Sequence, residues 1–162
     1  GHEAAAGLTI RSDKLGEFTR EFTAVARAEI AEAMLEPTLK VEAEIALGEA
    51  TLALSREIAR LAPYGQANPA PVLACRGVRV VDRRTVGENN KHLKMRVTHG
   101  GVKRDAIGFN LGEFLPEVAA GGLADLAFTV EENSFNGATD VQLCLRDLNC
   151  RAQADTGQAA QA

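Results

Sequence analysis

The sequence predicts an α+β chain: a mixed helix–strand amino-terminal part followed by a five-stranded β-barrel. Three observations predict it. Between residues 8 and 61, apolar residues recur at helical spacings in two stretches and alternate in steps of two in another. A cluster of Pro63, Gly65, Pro69 and Pro71 then interrupts the chain, as a boundary or rigid connector does. Beyond it, short runs of strand character follow one another, separated by glycine-rich turn signals and one helical stretch.

The chain opens on Gly1-His2-Glu3-Ala4-Ala5-Ala6-Gly7. Glycine permits dihedrals closed to other residues, and alanines leave little bulk between a main chain and a ligand. The imidazole of His2 can donate hydrogen bonds to an anion or bind a metal. Leu8 to Ile10 reads as a short strand. Ser12 or Asp13 can cap a helix with Leu15, Phe18, Phe22, Val25 and Ile30 on its apolar face, and Pro37 rules out its continuation. Leu39, Val41, Ala43, Ile45 and Leu47 then alternate with Lys40, Glu42, Glu44 and Ala46, the pattern of a half-buried strand. Gly48 breaks it, and Leu54, Ile58 and Leu61 mark a second helix.

In the second half, strands are expected at Val72–Val81, His92–Thr98, Val102–Asn110, Ala124–Glu132 and Asp140–Arg146. Gly100-Gly101 and Asn136-Gly137 supply the positive φ angles of tight hairpins. Leu111 to Ala120 reads as a short helix closed by Gly121-Gly122, with Pro116 awkward outside a first turn. Five strands with a helix between the third and fourth is the order of an OB-type barrel. The expected organisation is therefore residues 1–62, a Pro/Gly linker at 63–71, the barrel at 72–151, and a disordered tail at 152–162 rich in Ala, Gln and Gly.

Of the 162 residues, 46% are hydrophobic and 25% charged, which is ordinary globular composition. No apolar run nears the ~18 residues of a membrane span, and there is no signal peptide. Cys75, Cys144 and Cys150 form no Cys-x-x-Cys pair, so packed thiols in a reducing, cytoplasmic setting are expected. The net charge of −4 hides a segregation. From Arg76 to Arg104 there are nine Lys or Arg against Asp82 and Glu88, whereas from Asp105 to Asp147 eight acids face Arg146 alone. Segregation, rather than the total, makes a local field that attracts anions.

The second barrel strand places His92, Lys94, Arg96 and Thr98 on one face and Leu93, Met95 and Val97 on the other. Lys91 precedes it, and Lys103 and Arg104 follow across the Gly-Gly turn. OB barrels bind oligonucleotides over the second and third strands and adjacent loops, so Lys91, His92, Lys94, Arg96, Lys103 and Arg104 are the candidate phosphate-binding set. Among aromatics, Phe109, Tyr64 and Phe135 are available, and Phe135, beside the Asn136-Gly137 turn, is the candidate for a base contact. His99 reads as an exposed turn residue. Three scattered histidines without paired carboxylates do not make a metal site. No Ser-His-Asp set, P-loop or dinucleotide fingerprint is present either.

The opening run resembles the Gly-Gly-His-x-x-Ala-Ala-Gly signature of the second, DHHA1-type domain of DHH-family phosphoesterases. Leu61-Ala62-Pro63-Tyr64-Gly65-Gln66-Ala67-Asn68-Pro69-Ala70-Pro71-Val72 is similar to the Pro-Phe-Gly-x-Gly-Asn-Pro-x-Pro segment of RecJ-type single-strand-specific exonucleases, which leads into an OB domain. The first glycine of the signature falls before Gly1, and Ala67 stands where the family has glycine.

The resemblance implies that residues 1–62 are the carboxy-terminal part of a DHHA1-type substrate-binding domain plus a connecting helix, and that Gly1 and His2 contact the phosphate being cut, with His2 assisting catalysis. It also implies a parent enzyme that removes nucleotides from the 5′ end of single-stranded DNA in recombination and repair, using Mn or Mg held by a domain this sequence lacks. The fragment itself would bind strands and cut nothing. Single-stranded DNA is the expected partner, with single-strand-binding protein as a further one. Two alternatives stay open: a non-catalytic strand-binding or protein-docking module, and an oligonucleotide or cyclic-dinucleotide phosphodiesterase of the DHH family.

Overall fold

A computed structural model describes residues 5–31, 37–135 and 137–150, the side chain of Phe135 excepted. Gly1 and His2, the Asn136 half of the second turn and the tail at 152–162 lie outside the described residues. The chain divides into two compact units, Gly1–Leu39 and Lys40–Ala162.

In the first unit a 3-10 turn at Ser12–Lys14 runs into helix α1, Leu15–Glu29. Neither Ser12 nor Asp13 caps it. Asp13 instead takes a two-pronged bond from Arg11, at 3.0 and 2.9 Å. Leu15, Phe18, Phe22 and Val25 fall on the helix, whereas Ile30 lies just past its end in extended backbone, and the Phe18 and Phe22 rings stack at 5.5 Å. Leu15, Phe22 and Val25 are exposed. Residues 8–10 form no strand.

The second unit holds β1 (Ala43–Glu44), α2 (Leu52–Ala59), β2 (Leu73–Val86), β3 (His92–His99), β4 (Val102–Gly108), β5 (Leu123–Phe135) and β6 (Ala138–Cys150). Strands β2 to β6 close into a five-stranded OB-type barrel. β2 pairs antiparallel with β3 and, at its other end, with β5. β3 pairs with β4, β4 runs parallel to β6, and β6 pairs with β5. One strand serves two neighbours because β2 is 14 residues long and bends at two irregularities, between Cys75 and Val78 and between Val80 and Asp82. Bulges increase bend and twist. At the first bend Gly77 has φ +64°, and its N–H donates to Asp125 at 2.7 Å.

Alternation fills the barrel. Val78, Val80, Leu93, Met95, Val97, Ala106, Leu126, Phe128 and Leu143 are buried on the inner face. Gly100 and Gly101, at φ +57° and +80°, form the two-residue turn between β3 and β4 that was expected.

Three further expectations change. The strand expected over Leu39–Leu47 shrinks to Ala43–Glu44, an edge parallel to β2, while Leu39 and Val41 stay exposed. Leu47 instead enters a 3-10 turn and, with Ala50, is fully buried in the barrel core. The helix expected over Leu111–Ala120 is only a 3-10 turn at Gly112–Phe114. Pro116 supplies no backbone donor to continue it. Finally, the expected boundary at 63–71 falls inside the second compact unit, because residues 45–58 pack on the same core as the strands.

The residues of the Pro/Gly segment have structural roles. Asn68 donates its side-chain amide to Leu61 and Pro63 carbonyls, both at 3.0 Å, and exchanges backbone bonds with Gly65. The Tyr64 hydroxyl donates to the Ile58 carbonyl. The segment thereby closes off the end of α2 and turns the chain into β2.

Candidate nucleic-acid interface

The registers of β2, β3 and β4 arrange their outward side chains in rows. Arg84, Lys94 and Ile107 make one row; Asp82, Arg96 and Asp105 the next; Arg79, Thr98 and Lys103 a third. Each row crosses three strands, so Lys94 and Arg96 share one face, as the alternation in the sequence predicts, and Lys103 joins them. Lys91 is exposed at the entrance to β3.

Most of the guanidinium groups in this basic region have partners within the chain. Arg76 pairs with Glu44 at 2.9 Å and Arg84 with Asp82 at 3.3 Å. Arg79 donates to the Gly121 carbonyl at 2.7 Å, and Arg83 to the Leu115 carbonyl. Arg96 donates to both carboxylate oxygens of Asp105, at 2.7 and 3.3 Å. The guanidinium of Arg96 holds the Asp105 carboxyl below the usual aspartate range, against the opposing effect of partial burial, and Lys94 and Arg84 add to the lowering. By contrast, the ammonium groups of Lys91, Lys94 and Lys103 make no ion pair or side-chain hydrogen bond among the described residues. They are the cations a phosphate can reach without first breaking a bond.

Two expected members stand differently. Arg104 lies opposite Val97, an inward residue, and donates Nε to the Ala50 carbonyl at 2.8 Å. It braces the turn before α2 rather than joining Lys103 on the outer face. His92 is on that face, but its Nδ1 accepts the Asn110 N–H at 3.1 Å and its ring meets Phe109 edge-to-face at 5.1 Å. The backbone of Phe135 pairs with Ala138 at the tip of the β5–β6 hairpin; its side chain lies outside the described residues.

Phe109 is one of the three aromatics the sequence makes available, with Phe135 preferred among them; in the structure it lies just past the end of β4 and is 56% exposed beside His92. Counting positions from Lys103 in steps of two leads through Asp105 and Ile107 to Phe109. The same count about Gly100-Gly101 sets Asp105 opposite Arg96.

Among the described residues no three His, Cys, Asp or Glu side chains are grouped so as to hold a metal ion. The described part does not fit a metal site. Burial raises the thiols of Cys75, Cys144 and Cys150 above the ordinary cysteine value. Among the described residues no helix is long and apolar enough to cross a membrane.

Compared with known proteins, residues 41–147 match the model of the RecJ OB domain. The chain belongs to the RecJ family. Its matched span begins one residue after the compact barrel unit does. Over 150 residues it is 33% identical to the single-stranded-DNA-specific exonuclease RecJ of Dickeya dadantii, covering 91% of this chain and 26% of that protein. RecJ of Bacillus subtilis is 25% identical over 147 residues, covering 91% of this chain and 19% of that protein. Among solved structures, RecJ from Thermus thermophilus in complex with Mn2+ superposes with a TM-score of 0.65 at 24% identity, covering 92% of this chain and 21% of the other. That likeness is one of fold. The RecJ-family chain spans about a quarter or less of the length of these curated relatives.

Proposed function

We propose that this chain is part of a single-stranded-DNA-specific 5′→3′ exonuclease, acting in the cytoplasm in DNA recombination and repair. The barrel binds the strand through its backbone phosphates. The observation that carries this reading is the outward face of β3 and β4, where Lys94 and Lys103 stand uncommitted beside Arg96, with Lys91 at its entrance. Such a face neutralises phosphates without reading bases, so its affinity is sequence-indifferent and falls with salt.

Hydrolysis belongs to the whole enzyme, and the Mn or Mg it uses is held outside the described residues. Residues 1–39 are then the end of a DHHA1-type domain, with Gly1 and His2 against the phosphate being cut. An imidazole there donates to the non-bridging oxygens as their charge develops. Single-strand-binding protein is a further partner on this reading, and the chain alone cuts nothing.

The test of the interface is the affinity of the chain for a fluorescent oligothymidylate across a salt series. Each lysine that contacts a phosphate contributes about 0.7 to the slope of log affinity against log salt for a single strand. Lys94→Ala with Lys103→Ala is therefore expected to reduce the slope by about 1.4. An unmodified chain with no salt-sensitive affinity favours a protein-docking module instead. In the full-length enzyme, His2→Ala is expected to lower turnover far more than DNA affinity, since its contact strengthens in the transition state. Equal loss of both removes that role.

A further inference from the structure

The outward face of the barrel ends in a row unlike the others. Val86 pairs with His92, and just past the end of β4, where Leu93 pairs with Gly108, the ring of Phe109 meets His92. In place of charges this row carries two rings in edge-to-face contact, with centroids 5.1 Å apart at 74°. Phe109 keeps 56% of its surface exposed, although no buried role demands an aromatic there.

The surroundings hold this pair in place. The His92 ring is tied by its Nδ1 to the Asn110 N–H. Behind it sits Gly87, at φ +81°, where a Cβ would come within 2.7 Å of the imidazole. The loop that carries Gly87 and Lys91 is itself docked. Gly112 donates to the Lys91 carbonyl at 2.9 Å, and a Cβ on Gly112 would lie 2.1 Å from the Asn90 carbonyl oxygen. Two glycines thus let backbone and ring approach closely enough to fix Phe109 against a rigid prop.

Cations lie on both sides of the rings. One row further along the strands stand Arg84 and Lys94, at a step of about 6.8 Å for two residues of strand. That step is comparable to the reach from a base to its own phosphate. On the other side Lys91 directly precedes His92 and lines a hollow of about 420 Å³ together with Asn89, Asn90, Asn110 and Glu113. An exposed ring flanked by separated cations has the layout of one unpaired nucleotide and its two neighbouring phosphates.

We infer that Phe109, propped by His92, is a base-stacking platform, with Lys94 on one flanking phosphate and Lys91 on the other. The inference rests on the strand-binding reading above and adds to it a contact with the base itself. Every base has a π-face, so the platform favours single strands over duplex without selecting a sequence.

Two probes of equal length and charge test it: an oligothymidylate and an abasic sugar–phosphate chain. The unmodified chain is expected to bind the thymidylate more tightly. Phe109→Ala should weaken thymidylate binding roughly tenfold, leaving abasic binding and the salt slope unchanged. Phe109→Tyr should restore the preference, which a merely structural loss would not. Lys94→Ala should weaken both probes together and lower the slope. If Phe109→Ala affects both probes equally, or neither, the platform is overturned while the phosphate interface stands. If the unmodified chain binds neither probe in a salt-sensitive way, the interface falls and the platform with it. Unchanged thermal unfolding of Phe109→Ala, expected of so exposed a side chain, separates these outcomes from misfolding.

Discussion

Asp105 stands opposite Arg96 in the β3–β4 register and accepts both hydrogen bonds its guanidinium offers on that side. A phosphate that approaches Arg96 must compete with this carboxylate, whose affinity for the proton is already depressed by the same guanidinium and by Lys94 and Arg84. An acid with a lowered folded-state pKa stabilises the fold at pH values above its unfolded value, about 3.9, and loses that contribution as pH falls through the folded one. The Arg96 and Asp105 side chains are 56% and 36% exposed, so solvent screens the pair and its contribution to stability is small. Its larger effect is on binding. Asp105→Asn is expected to tighten oligothymidylate binding and steepen its salt dependence, with little change in thermal unfolding. In an NMR titration the Asp105 carboxyl should titrate below the usual aspartate range and move up towards that range in Arg96→Ala. An ordinary titration in the unmodified chain, or unchanged binding by Asp105→Asn, would show that Asp105 does not mask the face.

The β3–β4 hairpin was the most legible element in the sequence, because three local signals agree there. Gly100-Gly101 sets a two-residue turn, alternation sets the faces, and the turn then sets the register of every pair from His99–Val102 to Leu93–Gly108. Lys94 and Arg96 were placed on one face by alternation, while Lys103 and Arg104 were both added because they follow the turn; the register puts only Lys103 on that face. Arg104 was misplaced by proximity to Lys103 in sequence, although the pleat turns consecutive residues to opposite faces. The segment at 39–47 misled for a different reason. Its alternation is clear, yet β1 has a single partner and keeps two residues, because the next apolar residues are taken into the barrel core. A pattern of two reports which side chains can share a face, and cannot report how many neighbours will pair. The helix expected over Leu111–Ala120 is cut to a 3-10 turn at Gly112–Phe114, and Pro116 offers no backbone donor to extend it. The end of α2 was equally hidden: Leu61 continues the helical spacing but is exposed beyond Ala59, where Asn68 and Tyr64 take the terminal carbonyls.

At the scale of the whole molecule, the question is which residues the barrel needs in order to close over a filled interior. Composition placed the boundary at 63–71, since prolines and glycines cluster there. The contacts place it before Lys40. Leu47 and Ala50 are fully buried with the strand residues, Arg104 reaches across from β4 to the Ala50 carbonyl, and Ser55 of α2 donates to the Val130 carbonyl of β5 at 3.3 Å. The piece ahead of the Pro/Gly segment is thus part of the barrel's own core, and the segment is an internal corner. The two boundaries predict different proteins. A chain beginning at Lys40 keeps this plug and is expected to unfold cooperatively, with the same midpoint as the barrel transition of the full chain. A chain beginning at Val72 loses it. Deleting one buried leucine side chain already costs about 2–5 kcal/mol. The loss of Leu47 with its neighbours should therefore lower the midpoint by at least about 10 °C, or leave an aggregating product with an exposed barrel end. Calorimetry or circular-dichroism melting of the two chains decides between them, and equal midpoints would return the boundary to 63–71.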